Sequence, residues 1–134
     1  MRNTLLMIVI ACMAFTCDEN EEVELTAGIV GKWKLKEIYA DPGNGSGKFN
    51  EVESDKTITF LASNEVSTNE SLCNLGNNSN GSSTGIYSLQ DSTITPTDCD
   101  YGDFKIHFVV ESSYLILYYP CIEGCGEKYE KVSN

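Results

Sequence analysis

From residue 31 onward the apolar positions recur on alternate residues in short runs, the period of half-buried strands rather than of helices. Residues 32–36 read Lys-Trp-Lys-Leu-Lys, which sets Trp33 and Leu35 on one face and the lysines in water. Residues 57–60 repeat the pattern with Ile58 and Phe60 inward. Over 104–110, Phe104, Ile106, Phe108 and Val110 share a face and Lys105, His107 and Glu111 mostly share the other, so the single histidine is expected in solvent. Residues 85–89 and 92–95 flank Gln90-Asp91, expected as a two-residue hairpin turn. The stretch 65–72 is more polar and predicts an edge strand, or one buried only at its ends. Residues 114–119 are apolar on both faces, and 128–132 form a last alternating strand. With about eight strands, short links and no crossover helix, the economical topology is an all-β, antiparallel, up-and-down sheet.

Two stretches interrupt the strands. Residues 41–47 and 74–84 are rich in Gly, Asn and Ser and predict exposed loops. Neither fits an ion or phosphate loop, because Gly43 and Gly45 stand where a calcium loop needs oxygen ligands and the second stretch has no lysine. Such loops are nonetheless where binding specificity usually sits.

The first seventeen residues follow a different rule. Arg2 precedes an unbroken apolar run over 5–15, long enough for a secretory signal and too short to span a bilayer. Thr16 and Cys17 end the run, and Asp18, Glu19, Glu21, Glu22 and Glu24 follow. Such a run of mutually repelling charge reads as a solvated spacer. The expected organisation is a signal peptide over 1–16, an acidic tether over 17–27 and one domain over 28–134.

The whole chain carries a net charge of −11. Loss of Arg2 with the signal leaves about −12, which makes nucleic acid and anionic membrane surfaces poor partners. Four cysteines remain in the domain, and an even number in an exported chain argues for two disulfides in one of three connectivities. Cys121 and Cys125 flank a three-residue loop with Gly124 available for a left-handed position, which pairs them and leaves Cys73 for Cys99. A Cys-x3-Cys metal site is the alternative, disfavoured because His107 lies on the wrong face. No histidine neighbours a nucleophile, no metal spacing recurs, and Glu51 and Glu53 sit in a polar stretch. No catalytic residue, metal ligand or cofactor is therefore assigned, and a non-enzyme is expected.

The start of the chain resembles a bacterial lipobox, which implies that Cys17 is acylated. Cys12 after Val-Ile-Ala matches the consensus better but lies too early in the apolar run, and ordinary cleavage without lipidation is the alternative. The acidic run after Cys17 resembles the surface-export signal of lipoproteins of Bacteroidota, implying lipid anchoring at the outer membrane and exposure at the cell surface. Asp91-Ser92-Thr93 likewise fits the short O-glycosylation motif of that group, although a hairpin turn accounts for it equally well.

Gly31-Lys32-Trp33 heading the first strand, with the runs at 57–60, 85–89 and 115–119 and the closing Tyr129, resembles the lipocalin-like lipoproteins of Bacteroidota. A second likeness is to the META domain, through Cys73-Asn74, Gly85-Ile86-Tyr87 and Cys99. The lipocalin resemblance implies a small eight-stranded barrel, with Trp33 closing the floor and loop 41–47 in the place of a lid. It further implies a small, partly apolar ligand near Trp33, Asp41, Asn44, Tyr87 and Tyr118. The domain is short for a lipocalin and lacks the C-terminal helix, and its aromatic side chains could fill so small a barrel. A packed barrel acting on a protein partner, as accessory subunit or protease inhibitor, is the competing expectation.

Overall fold

The computed structural model describes residues 28–76, 81–100, 102–111 and 113–133; the expected signal peptide over 1–16, with Cys12, and the expected tether with Cys17 and the acidic run lie outside them. Nine strands run in chain order: β1 (Gly31–Ala40), β2 (Lys48–Glu51), β3 (Thr57–Phe60), β4 (Glu65–Thr68), β5 (Ser83–Ser88), β6 (Thr93–Pro96), β7 (Ile106–Glu111), β8 (Tyr114–Tyr118) and β9 (Cys125–Ser133). Every neighbour from β3 to β9 pairs antiparallel with the next, and β9 returns to β1 to close the sheet. Closure pairs both edges of β1 and of β3 to β9, while the short β2 has β1 as its one partner.

The nine strands make eight staves. β2 and β3 share one edge of β1, with Glu37 opposite Glu51 and Lys34 opposite Thr57. Between them the Val52 amide donates to the Lys36 carbonyl at 2.8 Å and the Leu35 amide to the Lys56 carbonyl at 3.0 Å, so only residues 53–55 loop out. Opposite that break β1 carries a bulge against β9, where the register jumps from Leu35–Tyr129 to Glu37–Lys128. A bulge shifts the alternation by one residue. Below it Trp33 and Leu35 point inward; above it Ile38 takes the inner face, and Glu37 meets Lys128 outside at 2.8 Å.

The expected alternation holds in β1, β3 and β7, whose inward Trp33, Leu35, Ile58, Phe60, Ile106 and Phe108 are all buried. The reading of 65–72 needs correction. β4 lies in the middle of the sheet between β3 and β5, with Val66 and Thr68 buried. Nor is the β5–β6 link a two-residue turn, because the last pair is Ser88–Thr93 and residues 89–92 intervene. Ser92 adopts the left-handed conformation there (φ 52°), and the Ser88 and Asp91 side chains bond across the turn at 2.9 Å.

The lower end of the barrel, where β1 begins, is stoppered by its own apolar residues. Ile29 and Trp33 have no exposed surface, and the indole Nε1 donates to the Ile29 carbonyl at 2.8 Å. At the same end Phe60, paired with Gly31 at the foot of β1, packs edge-on against Tyr87 and Phe108, with ring centroids 5.1 and 6.1 Å away, an arrangement that aromatic quadrupoles favour. Tyr87 satisfies its buried hydroxyl by donating to the Leu61 carbonyl at 2.7 Å. Both expected disulfides are present, Cys73–Cys99 and Cys121–Cys125, with Cα separations of 5.4 and 5.9 Å. They sit together at the upper end.

Candidate functional site: the upper rim

Four loops gather at the upper end: 41–47, 69–82, 97–105 and 119–124. Loop 41–47 is organised by Asp41, whose carboxylate accepts from the amides of Gly43, Asn44, Gly45 and Gly47 at 2.8–3.1 Å. Those donors favour the ionised form, so the Asp41 carboxyl is held below its ordinary range, most strongly by Gly47. The loop leans on 119–124, where the Asp41 amide donates to the Gly124 carbonyl at 2.9 Å.

Gly124 itself corrects an expectation. It does not adopt a left-handed conformation; instead a Cβ there would stand 2.9 Å from the Tyr39 ring, so the need for glycine comes from close approach. The segment that reaches over the interior is not 41–47 but the start of loop 69–82. Leu72 enters the core with no exposed surface, and Cys73 then ties this segment to loop 97–105 through Cys99.

Through Gly76 the same segment meets a charged pair inside the barrel. Lys56 Nζ meets Glu127 Oε1 at 2.7 Å, and both side chains have no exposed surface. Glu127 accepts four bonds: from Lys56, from the Gly76 amide at 2.9 Å, and at Oε2 from the hydroxyls of Tyr119 and Tyr129 at 2.7 and 2.6 Å. Lys56 also donates to the Gly76 carbonyl at 3.1 Å. With these partners the described residues hold no buried side-chain polar atom without a hydrogen bond. Burial, then the neighbouring carboxylate, pushes the Tyr119 and Tyr129 hydroxyls well above their ordinary titration range.

Immediately outside this cluster an open cleft of ≈ 410 Å³ runs between the two disulfides, lined by Asn74, Leu75, Phe104, Tyr119 and Pro120 with Cys73 and Cys121 at its ends. It shares Phe104, Tyr119 and Pro120 with a groove of ≈ 700 Å³ on the outer wall that passes over His107 and Tyr118. Cys73, Cys99 and Asp98 bring sulfur and carboxylate atoms within 4.8 Å of one another, but the two sulfurs are bonded to each other and offer no thiolate.

The five residues expected near a ligand are therefore not brought together. Trp33 and Tyr87 are parts of the packed lower core, and Asp41 and Asn44 belong to the loop beside 119–124. Tyr118 faces outward opposite His107, because its neighbours Leu117 and Tyr119 hold the inner positions. His107 is exposed, as its alternation implies. Lys56 and Glu127 were missed, although the signal was present. Lys56 has the parity of Ile58 and Phe60, and Glu127 the parity of Tyr129, so extending either strand by one step turns a charge inward.

An antiparallel eight-stave barrel closed between its first and last strands, with its rim loops on one end, defines the class of small lipocalin-type binding barrels. The profile of the lipocalin-like domain family matches residues 29–132, and the chain belongs to that family. No curated protein and no solved structure matches the sequence closely enough to supply a relative.

Proposed function

We propose that this chain is an exported lipoprotein, moored by acylated Cys17 at the outer face of the cell, whose barrel takes a small partly apolar ligand in the rim cleft rather than in its interior. The observation that carries the site is the cleft beside Tyr119, with Leu75, Phe104 and Pro120 supplying apolar walls and the Tyr119 hydroxyl leading to a buried carboxylate. A concave, mainly apolar surface with a few convergent polar groups is the usual form of a small-molecule site. Membership of a family whose fold generally serves binding agrees with this. Support for export comes from the apolar run over 5–15 and from two disulfides, which persist in oxidising compartments. Two or three acyl chains give stable anchoring, since each buried methylene contributes about 0.8 kcal/mol.

A titration with an environment-sensitive apolar dye tests the site. The reading expects saturable binding to the native domain and its loss in Phe104→Ala; no binding by the native domain refutes it. Detergent phase partition with intact mass tests the mooring, which fails if the native host yields unacylated, water-soluble protein.

One observation favours a second reading, a module that binds a protein. Ile122 is fully exposed at the tip of the loop closed by Cys121–Cys125, and the barrel interior is occupied by side chains. A stoichiometric partner recovered from solubilised membranes by the native protein and lost by Ile122→Asp supports that alternative; recovery of the same partner by the variant sinks it.

A further inference from the structure

Residues 72–76 enter the barrel's upper end without joining a strand ladder, and their polar anchors are main-chain atoms. The Gly76 amide donates to Glu127 Oε1 at 2.9 Å and its carbonyl accepts from Lys56 Nζ at 3.1 Å. The Leu72 amide donates to Ser83 Oγ at 2.9 Å, while its side chain fills an apolar seat. Seen from the barrel, a charged donor and a charged acceptor lie side by side, 2.7 Å apart, where Gly76 meets them four residues along the strap from that seat. Such a pair reads the N–H and C=O of a single residue whatever its side chain, as backbone recognition of peptides does, and the adjacent seat selects one apolar side chain.

We propose that the upper end of the barrel is a receptor for a peptide segment, that residues 72–76 are its built-in occupant, and that an incoming peptide of like chemistry displaces this strap. The inference deepens the binding reading above and rests on it only in taking the chain to be a ligand binder. The ligand class is a peptide offering a leucine-like side chain and, four residues on, a free main-chain donor and acceptor.

Three features make the strap displaceable. It lacks ladder hydrogen bonds, Asn74 is exposed with Leu75 only half-buried, and segments of this kind occupy the low-stability end of a fold. The Cys73–Cys99 bond keeps it beside its seat, so it competes with any ligand as a tethered group at high effective concentration. Gly76 is in a left-handed conformation (φ +123°), yet a Cβ there would meet nothing within 4 Å. The demand for glycine therefore belongs to the strap's own turn, and an untethered peptide can present another residue.

The test uses the native domain, its variant Cys73→Ser/Cys99→Ser, which frees the strap and keeps the Cys121–Cys125 bond, and the blocked pentapeptide acetyl-Leu-Ser-Asn-Leu-Gly-amide. In the native domain the Gly76 amide is expected to exchange with solvent about tenfold or more faster than the amides of Ile58 and Leu117. The pentapeptide should bind the variant about tenfold or more tighter than the native domain, and Glu127→Gln in the variant background should abolish that gain. Should the variant not fold, Leu72→Ser with all cysteines retained is the second opened form. Exchange of Gly76 only with the strand amides, or equal peptide affinity of native and opened forms, overturns the proposal. Cys73, Asn74 and Leu75 of the strap form one wall of the rim cleft, so the dye test with Phe104→Ala is made on the native domain with the strap seated, and the peptide test on the opened forms. Failure of the rim cleft and failure of the strap are thereby told apart.

Discussion

Replacing Lys56 by Met removes the cation from a pair with no exposed surface and leaves the Glu127 carboxylate among two tyrosine hydroxyls and one amide. Breaking one side of such a pair costs about 3–5 kcal/mol, because the remaining charge is buried without its counterion. A domain of this size has about 5–15 kcal/mol of stability in all, so the variant should be marginal. Urea unfolding followed by Trp33 fluorescence, disulfides intact, is the assay. With a slope of about 1–1.5 kcal/mol per molar urea, the midpoint should fall by roughly 2–5 M. Lys56→Met/Glu127→Met removes both charges and should recover part of the loss, leaving the double variant well short of the sum of the singles. Recovery stays incomplete because Tyr119, Tyr129 and Gly76 lose their acceptor, at about 1–3 kcal/mol for each buried group left unsatisfied. A Lys56→Met loss below about 1 kcal/mol would refute the burial of the pair.

Further outcomes follow from the same structure. Tyr119 and Tyr129 stay protonated in the fold past the range near 10 where they ionise once unfolded, so above about pH 10 the unfolded chain binds fewer protons than the native one and stability falls as pH rises. Titration of the urea midpoint from pH 8 to 11 should show that decline, and Tyr119→Phe/Tyr129→Phe should flatten it. Asp41 has the opposite sign: its order is complete above its ordinary value of 3.8 and is lost as pH falls through a lower one, so the amides of Gly43, Gly45 and Gly47 should titrate together in NMR spectra below that value. Removing Cys73–Cys99, which closes a separation of 26 residues, should cost about 3.5 kcal/mol in the chain-entropy model, against about 2 kcal/mol for Cys121–Cys125 with its separation of 4. Equal midpoint shifts for the two serine pairs would contradict that ranking. Trp33→Ala should cost about 3–5 kcal/mol by emptying the lower stopper, whereas Tyr118→Ala on the outer wall should stay within about 0.5 kcal/mol.

Much of the barrel was legible because closure imposes strict alternation on any strand with one wet face. Residues 32–35, 57–60 and 106–110 carry that alternation openly, and both cysteine pairs followed from spacing. What escaped was whatever departs from regular pairing. β2 is a short strand of one apolar residue among polar ones, and its pairing is set by β1, not by its own pattern. The bulge at Lys36 has no local signature, yet it reverses the face of Ile38. Tyr118 and Tyr119 are alike in type, so parity between them could be set only by pairing with β7 and β9. The candidate site was least legible, because its cleft is assembled from loops tied by disulfides and no single run of residues encodes it.

On the proposed reading the barrel is packed within and binds at its rim. Amide shift mapping of the isotope-labelled domain, titrated with an apolar dye, tests it most directly. The account predicts saturable shifts at Leu75, Phe104, Tyr119 and Cys121 with Trp33, Ile58 and Leu115 unmoved. Shifts centred on Trp33, Ile58 and Leu115 would contradict it and restore an open interior.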